Sequence, residues 1–212
     1  MPLYPAQFNG ASIAGNASIT GNETIGGSLS VTGTALGTAR PSSVGLLAWS
    51  FDPASVVGGN TMVAGRLYLS AMYVSRSTSV TTIQFAVATA ATSVTAGANW
   101  AGLFDGTGNL LASVALDGDL TTTGTKTKTI TSTPVTPGMY WVGFLSNASS
   151  GSVGLAAGEA NSNIRNVVNG LASAASYRFA YQGTGLTTLS SITPGNNTTA
   201  DTLTFAFYGA IG

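Results

Sequence analysis

Residues 13–36 read Ile-Ala-Gly-Asn-Ala-Ser, Ile-Thr-Gly-Asn-Glu-Thr, Ile-Gly-Gly-Ser-Leu-Ser and Val-Thr-Gly-Thr-Ala-Leu, which is one six-residue pattern written four times. Each copy opens on a β-branched aliphatic residue and has glycine two positions later: Ile13, Ile19, Ile25 and Val31, with Gly15, Gly21, Gly27 and Gly33. Odd positions are apolar or small, Glu23 excepted, and even positions are mostly Ser, Thr or Asn. This alternation indicates a strand with one dry face and one wet face.

The six-residue period is typical of a β-helix, in which glycine turns the chain at each corner. A triangular coil needs about 18 residues, and repeat architectures need roughly three stacked units, so four hexads in one chain are too few. Three chains winding together would make a stalk about 19 Å tall at about 4.8 Å per layer. The hexads therefore predict a homotrimer, with the four aliphatic residues and four glycines as its core. A low-complexity Gly/Ser/Thr linker is the alternative.

Charge is scarce throughout the 212 residues, with seven basic and seven acidic side chains and a formal net charge of zero. The chain is nevertheless 44% hydrophobic, with a mean hydropathy of +0.31, so its composition does not indicate disorder. No apolar run approaches the roughly 18 residues of a spanning helix, and residues 1–5 lack the features of a secretory signal. The scattered Lys and Arg residues argue against a nucleic-acid partner, and we expect no membrane insertion.

Histidine and cysteine are both absent from the chain. Their absence excludes disulfides, cysteine nucleophiles, histidine-based triads and the usual zinc ligands. We therefore expect no cofactor and no metal. Instead, we expect the burial of surface between subunits to stabilise the folded protein.

The hexads divide the chain into four predicted parts. Residues 1–12, with Leu3, Tyr4 and Phe8, are a docking segment for a partner protein or a disordered end, and residues 13–36 are the trimerisation stalk. Residues 37–43 form a linker rich in turn residues. Residues 44–212 form the head domain.

The head reads as many short strands separated by Gly, Pro, Asn and Asp turns, which predicts a jelly-roll-like β-sandwich. The predicted strands are Leu46–Phe51, Met62–Leu69, Ala71–Arg76, Thr82–Thr89, Trp100–Asp105, Leu110–Leu116, Thr125–Thr131, Met139–Ser146, Val153–Ala156, Tyr177–Tyr181, Thr187–Ile192 and Thr202–Gly209. One short helix is predicted around residues 164–171, where apolar residues recur at helical spacing. The last strand should lie inside a sheet.

No pair of carboxylates is singled out for catalysis, because most of them fall in turns where Asp is common for backbone reasons. The acidic residues are Glu23, Asp52, Asp105, Asp117, Asp119, Glu159 and Asp201. Calcium binding by Asp105, Asn109, Asp117 and Asp119 is a weaker alternative to the turn interpretation, since their spacing completes no known loop motif.

Trp141 has the opposite parity to Tyr140, Val142 and Phe144, so it is predicted to face outward. An outward Trp would serve as a ligand platform or, more readily in a trimer, as a subunit contact. Arg66, Lys126 and Lys128 are predicted to be solvated or at an interface, and lysines on an edge strand would also discourage aggregation.

Several stretches resemble bacteriophage proteins. Gly-Ser-Leu-Ser-Val-Thr-Gly-Thr (Gly27–Thr34) resembles the repeats of fibre and tail-spike shafts. Asn99–Ala112, Val135–Leu145 and Tyr177–Ile192, followed by Thr193-Pro194, resemble a domain of actinobacteriophage minor tail and fibre-like proteins. The resemblance implies a homotrimer with a distal β-sandwich head at the virion surface. It carries no catalytic residues.

Together these patterns predict a non-enzymatic structural protein on the virion surface. The leading hypothesis is a trimeric, tail-associated fibre or spike, a minor tail protein, that contacts host-surface glycans. The alternative is a capsid decoration or head-fibre protein that covers or reinforces the shell. The sequence leaves tail and capsid locations both open.

Overall fold

The computed structural model describes residues 40–158, 178–193 and 206–212, which belong to a compact unit running from Ala39 to Gly212. Thirteen strands occur in these ranges: β1 Ala48–Trp49, β2 Val56–Thr61, β3 Leu67–Val74, β4 Thr78–Thr89, β5 Ser93–Val94, β6 Trp100–Asp105, β7 Leu110–Ala115, β8 Gly124–Val135, β9 Gly138–Leu145, β10 Ala148–Ser150, β11 Gly154–Gly158, β12 Phe179–Gln182 and β13 Ala210–Ile211. The described helical segments are two short 3-10 turns, Pro41–Val44 and Pro53–Ser55. The protein is therefore all-β, as predicted, and no described helix is long and apolar enough to cross a membrane.

One sheet has five antiparallel strands in the order β12-β3-β9-β6-β7. The other is built on the long strand β4, which pairs with β8 along residues 78–87. Strands β13 and β11 pair with successive parts of β4, and they continue to β1 and β2 respectively. The short strands β5 and β10 form a separate pair.

The two large sheets pack face to face through aromatic side chains. Phe85 of β4 meets Phe144 of β9 with ring centroids 5.2 Å apart, and Tyr68 of β3 meets Phe207 edge-on at 5.0 Å. Phe85 and Phe144 are almost completely buried. The inward alternation of Tyr140, Val142 and Phe144 along β9 is the one that the sequence predicted.

Part of the outer face of the five-stranded sheet, around Gly102, is covered by residues 183–193, which we call the strap. The strap begins where Gly185 packs on Gly65; a Cβ at Gly65 would lie 2.7 Å from the Gly185 nitrogen. Both glycines have left-handed backbone, with φ of +74° and +67°. The amide of Leu186 then donates to Gly65 O at 2.9 Å, and the amide of Ile192 donates to Gly108 O at 2.8 Å.

Two predictions for this face are wrong. Thr187–Ile192 is not a strand, because its backbone donates to and accepts from scattered groups instead of a neighbouring ladder. Trp141 does not face solvent, because it is only 5% exposed. The alternation of side chains along the strand correctly placed Trp141 on the outer face of the sheet, but it did not reveal that this position is buried.

Strand boundaries differ from the predictions mainly around β2 and β3. Met62–Leu69 and Ala71–Arg76 were predicted as two strands, but Leu67–Val74 is one. Strand β2 was missed because Gly58-Gly59-Asn60 reads as a turn. Gly59 is instead needed inside the sheet, where a Cβ would lie 2.3 Å from the Ala88 Cβ.

Other predictions agree or lie outside the described residues. Trp100–Asp105 matches β6. The last described strand, β13, lies inside its sheet as expected. Of the predicted strand Thr202–Gly209, residues 206–209 contain an isolated bridge at Phe207, and residues 202–205 lie outside the described ranges. The docking segment, the hexads and the helix around residues 164–171 fall outside the described ranges.

Candidate interaction surface

Asp105 is held by the turn that joins β6 to β7. Its carboxylate accepts hydrogen bonds from the Thr107 amide (2.8 Å) and hydroxyl (2.7 Å) and from the Asn109 amide (3.0 Å) and side chain (2.9 Å). Burial alone would raise the pKa of Asp105, but these four hydrogen bonds outweigh it and lower the pKa from 3.8 to about 2. The carboxylate is committed to the turn and is ionised at any ordinary pH.

We expect this turn to lose stability in acid. Because the folded pKa of Asp105 is depressed, its contribution is present above about pH 4 and is lost as the pH falls toward about 2. Urea unfolding of wild type and Asp105→Asn at pH 5 and pH 2.5 measures it, and the stability difference between the two proteins should shrink at the lower pH. An unchanged difference would contradict this assignment.

The other described carboxylates also have local partners. Asp52 accepts from the Ala54 amide at 2.9 Å, and Asp117 accepts from the Gly97 amide at 2.6 Å and from Asn99 Nδ2 at 2.8 Å. Asp119 forms an ion pair with Lys128 at 2.7 Å. These contacts agree with the turn interpretation for Asp52 and tie Asp117 and Asp119 to neighbouring loops.

The residues considered for calcium are not brought together. Asp105 and Asn109 lie in the β6–β7 turn, whereas Asp117 follows the far end of β7, about 17–20 Å away along a six-residue strand. Within the described ranges, no group of three acidic or other metal-binding side chains could hold a metal ion.

Lys126 and Lys128 lie on β8, whose second edge has no strand partner within the described ranges. They stand opposite Phe85 and Ile83, on the inward face, and are half-buried. Lys126 donates to Thr122 Oγ1 at 2.6 Å, and Lys128 reaches Asp119. Inward-pointing lysines whose stems cover the core edge are a known protection of exposed strand edges.

Replacing both lysines with valine should make the edge of β8 self-associate. The change adds β-propensity and removes two charges from a strand that already alternates with Thr. Light scattering against protein concentration is the measurement, with the double replacement by arginine as the matched control. Equal scattering from the valine and arginine proteins would argue against a protective role.

Arg66 is half-buried beside the strap, with its guanidinium carbon 4.5 Å from the centre of the Tyr181 ring. This cation–π contact replaces the predicted solvated or interface position with an intramolecular one. Arg66 therefore supports the attachment of β12 to the sheet.

The outer face of the five-stranded sheet has one end with exposed apolar side chains. Tyr73 of β3 and Met139 of β9 are paired in register, two pairs along from Ala71 and Trp141 and therefore on the same face. Ala71 is fully buried and Trp141 nearly so, whereas Tyr73 is 61% exposed and Met139 45%. The apolar face thus continues into solvent at this end.

Shallow grooves flank Tyr73 on both sides, and both include Pro41 of the first 3-10 turn. One groove, of about 340 Å³, is also lined by Met139 and Arg178. The other, of about 320 Å³, is lined by Arg40 and Arg76. We call the combined area, made by Arg40, Pro41, Tyr73, Arg76 and Met139, the entry surface, because the described chain enters the head there at Arg40.

Arginine side chains border this area, with Arg178 lining one groove and Arg40 and Arg76 the other. Arg178 donates to Ser50 O at 2.9 Å and lies 5.4 Å from the Phe179 ring centre, so its guanidinium is fixed in place. An exposed aromatic ring, a flexible thioether and cationic groups can together support binding to another macromolecule.

Sequence analysis did not identify Tyr73 and Met139. A usable signal exists: Leu67, Leu69, Ala71 and Tyr73 share one parity, so Tyr73 must lie on the same face as its buried neighbours. That signal was lost because the strand was split at Ser70. Comparison with models of known protein families, with curated proteins and with solved structures finds no match.

Proposed function

We propose that this chain is a structural protein of a bacteriophage virion: a trimeric, tail-associated fibre or spike, of the minor tail protein kind, whose head contacts host-surface glycans. The observation that carries the proposal is the arrangement of four register-keeping hexads directly before an all-β unit. The hexads would form a short β-helix-like trimeric stalk, and the head would be a jelly-roll-like sandwich.

The docking segment, through Leu3, Tyr4 and Phe8, would attach the trimer to another virion protein. The glycan contact rests on the resemblance to phage fibre proteins, and no ligand-binding residue is assigned to it, because Trp141 is buried. The proposal gives the chain no catalytic task, in keeping with the local hydrogen bonds and ion pair that hold the four described aspartates.

A capsid decoration or head-fibre protein is the second candidate, and the brevity of the repeat favours it. Four hexads per chain give a stalk only about 19 Å tall, at about 4.8 Å per layer, which holds three heads close to a surface. A long reach toward a cell would require many more repeats.

Cryo-electron microscopy of the phage particle that carries this chain separates the two candidates. Density for three copies at the tail tip supports the fibre or spike. Density at local axes of the capsid excludes it and supports decoration. A glycan array with the full chain, and adsorption of particles lacking it, then tests the receptor role: no glycan binding together with normal adsorption would remove that role.

A further inference from the structure

We infer that the entry surface is where the heads of neighbouring copies contact one another in the trimer. The inference rests on the proposed trimer and adds to it the part of the head that forms the contact. Two of the six large apolar side chains that are exposed in the described ranges lie on this surface: Tyr73 and Met139. Single exposed apolar residues are common, but these two are paired in register and so form a patch.

Chain connectivity selects the second copy as the occupant. The hexads end at Leu36 and the described head begins at Arg40, so the intervening chain can span at most about 14 Å. If three chains are bundled through Leu36, each Arg40 must stay within that distance of the end of the bundle. The entry surface is therefore the part of each head that is held nearest to the other two.

The size of the head keeps neighbouring copies close at that tether length. A compact unit of the extent of Ala39–Gly212 has a radius of gyration of roughly 15 Å, comparable with the tether. Three such units tethered at a common point therefore hold their attachment sides within reach of one another. An exposed apolar pair on that side suits burial against a neighbouring copy.

The side chains suit such a contact. Tyr73 presents a large ring with a polar tip, and Met139 adapts its shape to a neighbour. Contacts in a cyclic trimer are heterologous, so the apolar pair of one head meets a different patch on the next head. Arg40 and Arg76 of one copy therefore do not need to face the same arginines of another copy.

The absence of native cysteine permits a direct test on the full chain. Met139→Cys introduces a single thiol, and Leu111→Cys is the matched control, because Met139 is 45% and Leu111 38% exposed in one head. In the trimer, we expect maleimide to label the Met139→Cys protein at least tenfold more slowly than the control. Equal rates in a chain that sediments as a trimer would overturn the inference and leave the trimer standing.

Adding Ile19→Asp to both proteins should abolish the difference between the two labelling rates if the trimer is lost. Protection that persists in a monomer would also overturn the inference. A full chain that sediments as a monomer without this change would remove both the trimer and the inference.

A second measurement identifies what covers the surface. Replacing Tyr73 with photoreactive benzoylphenylalanine keeps an aromatic ring at the position and allows light-induced cross-linking. We expect a product of at least twice the chain mass, with the cross-link mapped by mass spectrometry to residues 40–212 of another copy. Cross-links mapped only to residues 1–39 would assign the surface to the N-terminal segment and refute a head-to-head contact.

Discussion

Replacing Asn99 with alanine is expected to lower the free energy of unfolding of the head by about 3 kcal/mol, the range for deleting a buried side chain that satisfies several polar groups. Asn99 is completely buried. Its Nδ2 donates to Thr95 O at 2.7 Å and to Asp117 Oδ1 at 2.8 Å, and its Oδ1 accepts from the Asn147 amide at 2.6 Å. Alanine would leave all three partners without this side chain, at a position that is itself fully buried.

The effect should spread because Asn147 continues the network. Its Nδ2 donates to Ala98 O at 2.6 Å and to Leu186 O at 2.9 Å, so it connects the β9–β10 loop to the strap. Urea unfolding followed by tryptophan fluorescence measures the loss. Asn109→Ala, at an exposed turn position, is the control and should cost less; equal losses for the two variants would contradict a special role for Asn99.

The isosteric change Asn99→Asp separates shape from charge in the same network. A carboxylate keeps the acceptor for the Asn147 amide but places a second negative charge against Asp117 Oδ1, which Asn99 contacts at 2.8 Å. We therefore expect Asn99→Asp to be destabilised at pH 7 and partly restored at acidic pH, whereas Asn99→Ala should show no such recovery.

The sequence predicts some parts of the head better than others. Inward positions were recoverable, because Ile83, Phe85 and Val87 alternate with polar residues and are all buried. Strand β6 was predicted to the residue, since turn residues bound it on both sides. These patterns lie within a single strand, so they can be recognised without knowing which strands pair with it.

The strap could not be predicted, because its structure depends on distant partners. Leu189 lies over Gly102, where a Cβ would be 2.6 Å from Leu189 Cδ1, and the indole nitrogen of Trp100 donates to Thr187 O at 3.0 Å. Nothing near residues 183–193 in the sequence states that they will cover a sheet 80 residues earlier. The alternating pattern of this segment predicts a strand equally well.

The same long-range dependence explains the error at Trp141 and the omission of Tyr73. Parity assigns both residues to the outer face, but it does not say which part of that face is buried. Trp141 lies in the buried part and Tyr73 beyond it. The candidate interaction surface lies on the exposed part of that face, and only the folded arrangement reveals it.

The largest effect on assembly is expected from Ile19→Asp, which should convert the trimer to monomers while the head remains folded. Ile19 opens the second hexad and belongs to the row predicted to face the common axis. In a trimer the change would bury three carboxylates around one axis, and each costs several kcal/mol unless it is protonated or paired. No described contact of the head depends on Ile19, so the urea concentration at which half of the head is unfolded should be unchanged.

Sedimentation velocity gives the mass of the assembly, and Thr20→Asp, at a position predicted to be wet, is the matched control. A trimer that survives Ile19→Asp, or that is lost equally with Thr20→Asp, would mean that the hexads do not form a dry core and act instead as a linker.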